Sequence, residues 1–208
     1  MQAENHITTI SGTTQGFAVV ILLLVAGTLV SLVSAHFIDR GVDPIRDAVS
    51  DFGAREHPWP YRIAAIWLGL AGLLTAVMLA NAMFPKPTLT ILALLVFAAT
   101  RWAITIFPTD LEDEDETPVG HSHTVLAVIA FASICVASGA FLFETADDPF
   151  WHGKRIALGL TALAILITAI LSAGERARHG AYFGLVERLL YLSMFGWFSV
   201  VALSVLTA

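Results

Sequence analysis

Seven polar residues stand out by where they fall along an otherwise apolar chain: Ser50 and Asp51, Arg101, Asp110, His123, and the adjacent pair Glu187 and Arg188. A hydroxyl, carboxylates and an imidazole are the groups that nucleophilic and general acid–base chemistry draws on. Guanidinium groups present a planar fork of N–H donors that suits anionic head groups. Asp51, Asp110 and His123 are also of the types that ligate zinc and related divalent ions. No cofactor is required, and a divalent metal held by those three is the one the residues admit. His121-Ser122-His123 adds little to it, because an i, i+2 pair points to different faces of a helix and only one ring can turn inward.

These residues have to be positioned by membrane-spanning helices. Of the 208 residues, 57% are hydrophobic and only 13% charged, with a mean hydropathy of +0.77. Soluble domains carry about 25% charged residues, so this chain lacks the polar surface of a water-soluble globule, and it is too apolar to be disordered. A net charge of −6 speaks against nucleic acid as a partner. The lone Cys135 allows no intrachain disulfide and reads as a small hydrophobe of the core. Crossing ~30 Å of hydrocarbon takes about 20 apolar helical residues. Six stretches qualify: 17–37, 63–84, 88–107, 124–143, 156–173 and 181–206. None shows the two-residue alternation of a barrel strand. The first has no basic residue before it and is too long for a signal-peptide core, so it reads as a retained span. The expected fold is all-α, a single integral membrane domain over residues 1–208, in the cell membrane.

Six spans put both termini on one side and the first, third and fifth connections on the other. That second face carries Arg40, Arg46, Arg55, Arg62, Arg176 and Arg178, against Lys86, Lys154 and Arg155 opposite. Counting basic residues alone makes it the cytoplasmic face, but several of its arginines lie among acidic residues that can pair with them, so the count does not fix the orientation. In the first connection, Asp43-Pro44 suits a helix start and Gly53 a stop, which predicts a short interfacial helix over 43–52 with Ile45, Val49 and Phe52 on one side. The acidic run 112–116 reads as a solvated charge run. Trp59, Tyr61, Trp151 and Tyr182 fit interfacial belts, while Trp67, Trp102, Tyr191 and Trp197 fit the bundle interior.

A charge inside a span is costly unless it is paired or wet. Arg101, Glu187 and Arg188 lie at matched depth from the polar face. The simplest wiring pairs Glu187 with Arg101, and Arg188 with Asp51 or Asp110, and makes the third and sixth spans neighbours.

Ser50-Asp51-Phe52-Gly53, then Phe107-Pro108-Thr109-Asp110, then His123 with Ala127 and Phe131, then Gly184 with Glu187-Arg188 form an ordered set over nearly the whole chain. The set resembles the domain-of-unknown-function 998 family of multi-pass bacterial and archaeal membrane proteins. The resemblance implies six spans and a polar cluster on one face, and brings no established reaction. Arg101 and the long acidic insert before His121 depart from the family pattern. A fainter likeness links the set to eukaryotic membrane proteins that remodel lipid anchors. The Ser/Asp/His inventory is similar to that of transmembrane ceramidase-like hydrolases, which have seven spans and another residue order.

The reading that results is a membrane-embedded hydrolase or group transferase acting on a lipid or amphiphile. Ser50, Asp51, Asp110, His123 and Glu187 would carry the chemistry, and Arg101 and Arg188 would bind the substrate. Membrane lipids are the expected partners, with a second copy of the chain or another membrane protein as further ones. The alternative is a small transporter or accessory subunit in which the same charges form an ion-pair lock. The inverted repeats and broken helices common in transporters are not visible here.

Overall fold

The computed structural model describes residues 11–83, 86–111 and 115–208. Of the described residues 78% are helical and none is in a strand. Its helices are α1 (Gly12–Ile38), α2 (Trp59–Ala82), α3 (Thr88–Ala103), α4 (Pro118–Glu144), α5 (Pro149–His152), α6 (Arg155–Ala177) and α7 (Phe183–Leu206), with a 3₁₀ helix at Val49–Gly53 between α1 and α2. Five of them, α1, α2, α4, α6 and α7, are long and apolar enough to cross a membrane. The stretch expected to form the third span is helical over 16 residues only. Pro108 prevents the helix from resuming beyond this point, since proline disfavours helical backbone in the residue before it. The last turns tighten ahead of it, with Thr105 and Ile106 N–H groups reaching back only three residues, to Trp102 and Ala103 carbonyls.

Local chemistry sets several helix starts. The Ser11 hydroxyl accepts the Thr14 N–H at α1, and the Thr117 hydroxyl accepts the Gly120 N–H at α4, whose first residue is Pro118. For α3, whose N-cap Pro87 has no capping side chain, Glu144 at the end of α4 supplies the cap. Its carboxylate accepts the N–H groups of Leu89 and Thr90 and the Thr90 hydroxyl, which suits the positive end of a helix dipole.

The long helices and α3 form a closed ring: α1 packs on α2, α2 on α3, α3 on α4, α4 on α6, α6 on α7, and α7 back on α1. Close approach relies on glycine notches filled by aromatic rings. Trp67 occupies the space a side chain at Gly27 would need, and Trp102 does the same at Gly69. Both indoles remain partly exposed on the outside of the ring, so they are not interior residues as expected; Trp102 Nε1 donates to the Ile66 carbonyl. Tyr191 and Trp197 are buried as expected. Trp59 and Tyr182 are exposed near helix starts, where a belt residue belongs. Tyr61 and Trp151 are buried instead. Trp151 sits on α5, which folds it edge-on against Phe141, 4.8 Å between ring centroids.

The predicted helix over 43–52 is not continuous. The Asp43 carboxylate accepts the Ile45 N–H, and the Asp47 N–H reaches the Asp43 carbonyl, so one turn forms. It then stops, because its carbonyls are used elsewhere: the Ile45 and Arg46 carbonyls accept the Leu185 and Gly184 N–H groups. Those two donors belong to the first turn of α7 and have no partner inside their own helix. The first connection therefore caps α7, and the chain restarts as the 3₁₀ helix. Ile45 is left exposed while Val49 and Phe52 are buried.

Candidate functional site

One end of the ring gathers the polar residues. There the C-terminal ends of α1, α3 and α6 meet the N-terminal ends of α2, α4 and α7. Four contacts fix this: His36 on α1 with Arg188 on α7, Phe107 beyond α3 with His123 on α4, Arg176 on α6 with Thr124 on α4, and Tyr61 on α2 against Gly53.

Glu187 and Arg188, adjacent on α7, do serve different partners, as the helix geometry requires. Glu187, 5% exposed, accepts the Val49 N–H at 2.7 Å and so holds the 3₁₀ helix onto α7. Arg188 spends every nitrogen on the protein. Nη1 donates to the Asp47 and Gly184 carbonyls at 2.8 and 2.9 Å, and Nε and Nη2 both lie 3.2 Å from His36 Nε2. His36 Nδ1 is 2.9 Å from the Leu32 carbonyl. The carbonyl can only accept, so Nδ1 carries the proton and Nε2 offers its lone pair to Arg188. The expected partners Asp51 and Asp110 are not used. Gly184 is required at this corner, because a side chain there would run into the Asp47 carbonyl and the Arg188 guanidinium. Nearby, Arg55 lies 3.9 Å from Asp39 and 3.8 Å from Asp47, long and partly exposed pairs that contribute little.

A cleft of about 440 Å³ opens between the first, third and fifth connections. Asp51 and Asp110 both line it, with Arg46, Arg176, His121 and His179. The two carboxyls differ in environment. Burial, then the neighbouring carboxylates of Glu187 and Asp47, push Asp51 up to about 7, against the pull of its bond from the Ala48 N–H. Asp110 is held below the usual carboxylate range by the backbone N–H of Thr117 (2.8 Å) and then its hydroxyl (2.7 Å). Gly120 makes room for that carboxylate. One acid is thus poised near neutrality and the other is firmly ionised, the split expected of an acid–base pair.

The remaining candidates do not line the cleft. Ser50 is 9% exposed, on the buried side of the 3₁₀ helix. His123, 3% exposed, turns Nδ1 to the Phe107 carbonyl at 2.7 Å rather than to either aspartate. Among the described residues, no group of three or more His, Cys, Asp and Glu side chains is placed to hold a metal ion. The Asp51, Asp110 and His123 set is therefore not such a group, and His123 does not line the cleft that the two aspartates share. The acidic run lies partly outside the described residues; its Asp115 and Glu116 are exposed, and Glu116 reaches the cleft.

Arg101, 1% exposed, points into the bundle from the last turn of α3. The expected ion pair with Glu187 does not form: among the described residues no carboxylate lies within 4.0 Å of it. The guanidinium stands 5.4 Å from the centroid of the Tyr191 ring, with Tyr61, Glu187 and His123 within electrostatic reach. The third and sixth predicted spans therefore meet through long side chains, Arg101 on Tyr191 and Phe97 on Phe198 (6.1 Å between centroids), while their backbones are not ring neighbours.

Sequence reasoning missed Arg46, Arg176 and His179 as cleft residues and His36 as the partner of Arg188. The arginines were visible only as charges to count. His179 holds a left-handed backbone (φ 48°) where α6 ends, and the adjacent Gly180 is the residue that pattern reading would assign there.

Apolar helices of spanning length, ringed around a polar end, define a multi-pass integral membrane protein. The chain belongs to the family described as Protein of unknown function (DUF998), which matches residues 15–204; the resemblance carried by the motifs is thereby borne out. No curated protein and no solved structure matches it.

Proposed function

We propose that this protein is a membrane-embedded enzyme that hydrolyses, or transfers a group from, a lipid or other amphiphile in the cell membrane. One observation carries the reading: Asp51 and Asp110, with oppositely shifted acidities, line the same cleft at one end of the bundle. Asp51, protonated up to near neutral pH, serves as general acid, and ionised Asp110 as general base or as orienter of a water. Arg46 and Arg176 offer charge to an anionic group in the same space. Glu187, Arg188 and His123 act as positioning residues: Glu187 Oε2 and His123 Nδ1 are held by backbone groups, and Arg188 by backbone carbonyls and His36.

A six-span arrangement fits this reading. Glu144 meets the start of α3 and His123 meets Phe107 beyond its end. The length of α4 between those two contacts is roughly 30 Å at about 1.5 Å per residue, the thickness of the hydrocarbon core. A spanning α3 would put both termini on the face opposite the cleft. Cysteines introduced at Ser11 and Thr207 should then react with the same membrane-impermeant reagent added from one side.

The functional test is mass-spectrometric lipid profiling of membranes from cells expressing wild type, Asp51→Asn or neither. A lipid class whose level follows wild type but not Asp51→Asn is the expected result. Identical profiles in all three, at equal expression, would remove the enzymatic reading.

A further inference from the structure

Arg101 is the buried arginine whose Nε/Nη2 edge forms no closed hydrogen bond among the described residues, although the Tyr191 and Tyr61 hydroxyls lie near enough to interact with the guanidinium. Its Nε and Nη2 have no hydrogen-bond partner among the described residues, and neither does the hydroxyl of Tyr191 beside it. The identity of the two nitrogens matters. Nε–H and Nη2–H lie on one edge of the guanidinium and point in parallel, the edge that grips two oxygens of a carboxylate or phosphate at once. Arg188 closes that same edge on a single nitrogen of His36. At Arg101 the edge is free, the residue is 1% exposed, and no carboxylate lies within 4.0 Å among the described residues. Glu187 is near enough to feel the charge but gives its Oε2 to Val49. Burying a guanidinium with no close counter-ion and only neutral tyrosine hydroxyls beside it is unfavourable, and a buried donor edge without a closed hydrogen bond in a native fold marks a place where something else bonds.

We propose that the Nε/Nη2 edge of Arg101, with the Tyr191 hydroxyl, is a binding site for an oxyanion, a phosphate or carboxylate group, inside the cleft end of the bundle. The site is separate from the cleft cations Arg46 and Arg176 and does not depend on the cleft carrying a reaction. A phosphate or carboxylate offers two oxygens to the parallel N–H donors and further lone pairs to Tyr191, so one ligand satisfies all three donors and the charge. The same chemistry comes from a free anion or from the head group of an acidic lipid.

The test uses the full chain. Thermal unfolding is followed in neutral detergent with inorganic phosphate titrated at constant ionic strength, and in phosphatidylcholine nanodiscs with and without phosphatidic acid. Wild type should gain Tm in at least one arm. A gain with phosphate alone identifies a free-anion site, and a gain only with phosphatidic acid a head-group site. Arg101→Met should lose the gain. Arg101→Lys, which keeps the charge but not the two-donor edge, should weaken the apparent affinity roughly tenfold to a hundredfold. Arg176→Gln should keep the gain. No gain for wild type in either arm overturns the site, and so does a gain that survives both Arg101 variants or vanishes with Arg176→Gln. Where neither Arg101 variant can be purified, Tyr191→Phe takes their place: a weakened gain supports the site and an unchanged one overturns it. Lipid profiles that differ with Asp51→Asn while wild type shows no gain would remove this site and leave the enzymatic reading intact.

Discussion

Arg188 and Arg101 sit at similar depth in one end of the same bundle, yet they solve opposite problems. Arg188 uses its donors on two backbone carbonyls and on His36, and it stitches α1, α7 and the first connection into one corner. Arg101 leaves its bidentate edge unbonded against aromatic rings. Equal depth in a membrane thus says that a charge needs an explanation but not which one. The bonding of individual nitrogens separates an architectural arginine from one kept for a ligand. Glu187 makes the same point, since its carboxylate holds a backbone N–H rather than the guanidinium a matching of charges would assign to it.

The largest effect is expected at the architectural corner. Arg188→Met should destabilise the protein by about 3 kcal/mol or more, because it removes several charge-assisted hydrogen bonds and leaves buried carbonyls unpaired. The loss should be local as well as global: amide exchange should rise first at Val49 and in the 43–47 turn, whose carbonyls cap α7. A Tm in detergent equal to wild type, with unchanged exchange in that segment, would break the contrast between the two arginines.

Five of the six expected spans were legible in the sequence because bilayer thickness fixes the length of an apolar run, while the third is a helix of 16 residues. The interfacial elements were not, because Asp43-Pro44 specifies a turn but cannot specify whose donors will take its carbonyls. Gly184 and Leu185, far away in the chain, took those of Arg46 and Ile45 and ended the helix after one turn. The site was half legible for a related reason. Counting residues along a helix gives depth, so the depth of Arg101, Glu187 and Arg188 could be read. It does not give the azimuth or the backbone groups left open around each side chain. Asp51 was readable as a candidate because the short helix expected in the first connection carries it toward the bundle mouth, and Asp110 because it follows the end of the third apolar stretch. That His123 would turn to the Phe107 carbonyl depends on the path of the chain after α3 ends at Ala103, a consequence only the packed chain reveals.

A middle-sized effect tests the cleft against both arginines. Asp51 titrates from an ordinary value of 3.8 up to about 7 in the folded protein, chiefly through burial. The folded state therefore binds this proton more tightly than the unfolded chain does. Between those two values the native protein carries more protons, so stability falls as pH rises, and the contribution is present in full only below the lower one. Comparing Asp51→Asn with wild type isolates this slope, since the amide stays neutral throughout and its oxygen can still accept the Ala48 N–H. Wild type should lose on the order of 2 kcal/mol relative to the variant from about pH 4 to about pH 7, a figure reduced for partial solvent exposure. Parallel stability curves for the two proteins would place Asp51 in solvent and remove its role as the acid of the cleft.

The smallest effect is the most discriminating, because it sets the two arginines apart. Arg101→Met keeps an unbranched side chain in the same bundle interior and deletes the guanidinium. If that group were an architectural lock like Arg188, the two Met variants would lose comparable stability. The geometry argues otherwise: no carboxylate among the described residues comes within 4.0 Å, and two of its nitrogens are unbonded. What it offers the apo protein is its contact with the Tyr191 ring, worth about 0.5–2 kcal/mol, set against the desolvation of a buried cation. Replacing buried ionic groups by well-packed apolar ones is often neutral or stabilising, by about 1–4 kcal/mol. Without added phosphate and in neutral detergent, Arg101→Met should therefore match wild type to within about 1 kcal/mol or exceed it. A loss as large as that of Arg188→Met would show that Arg101 holds the bundle together and would dissolve the contrast between the two arginines.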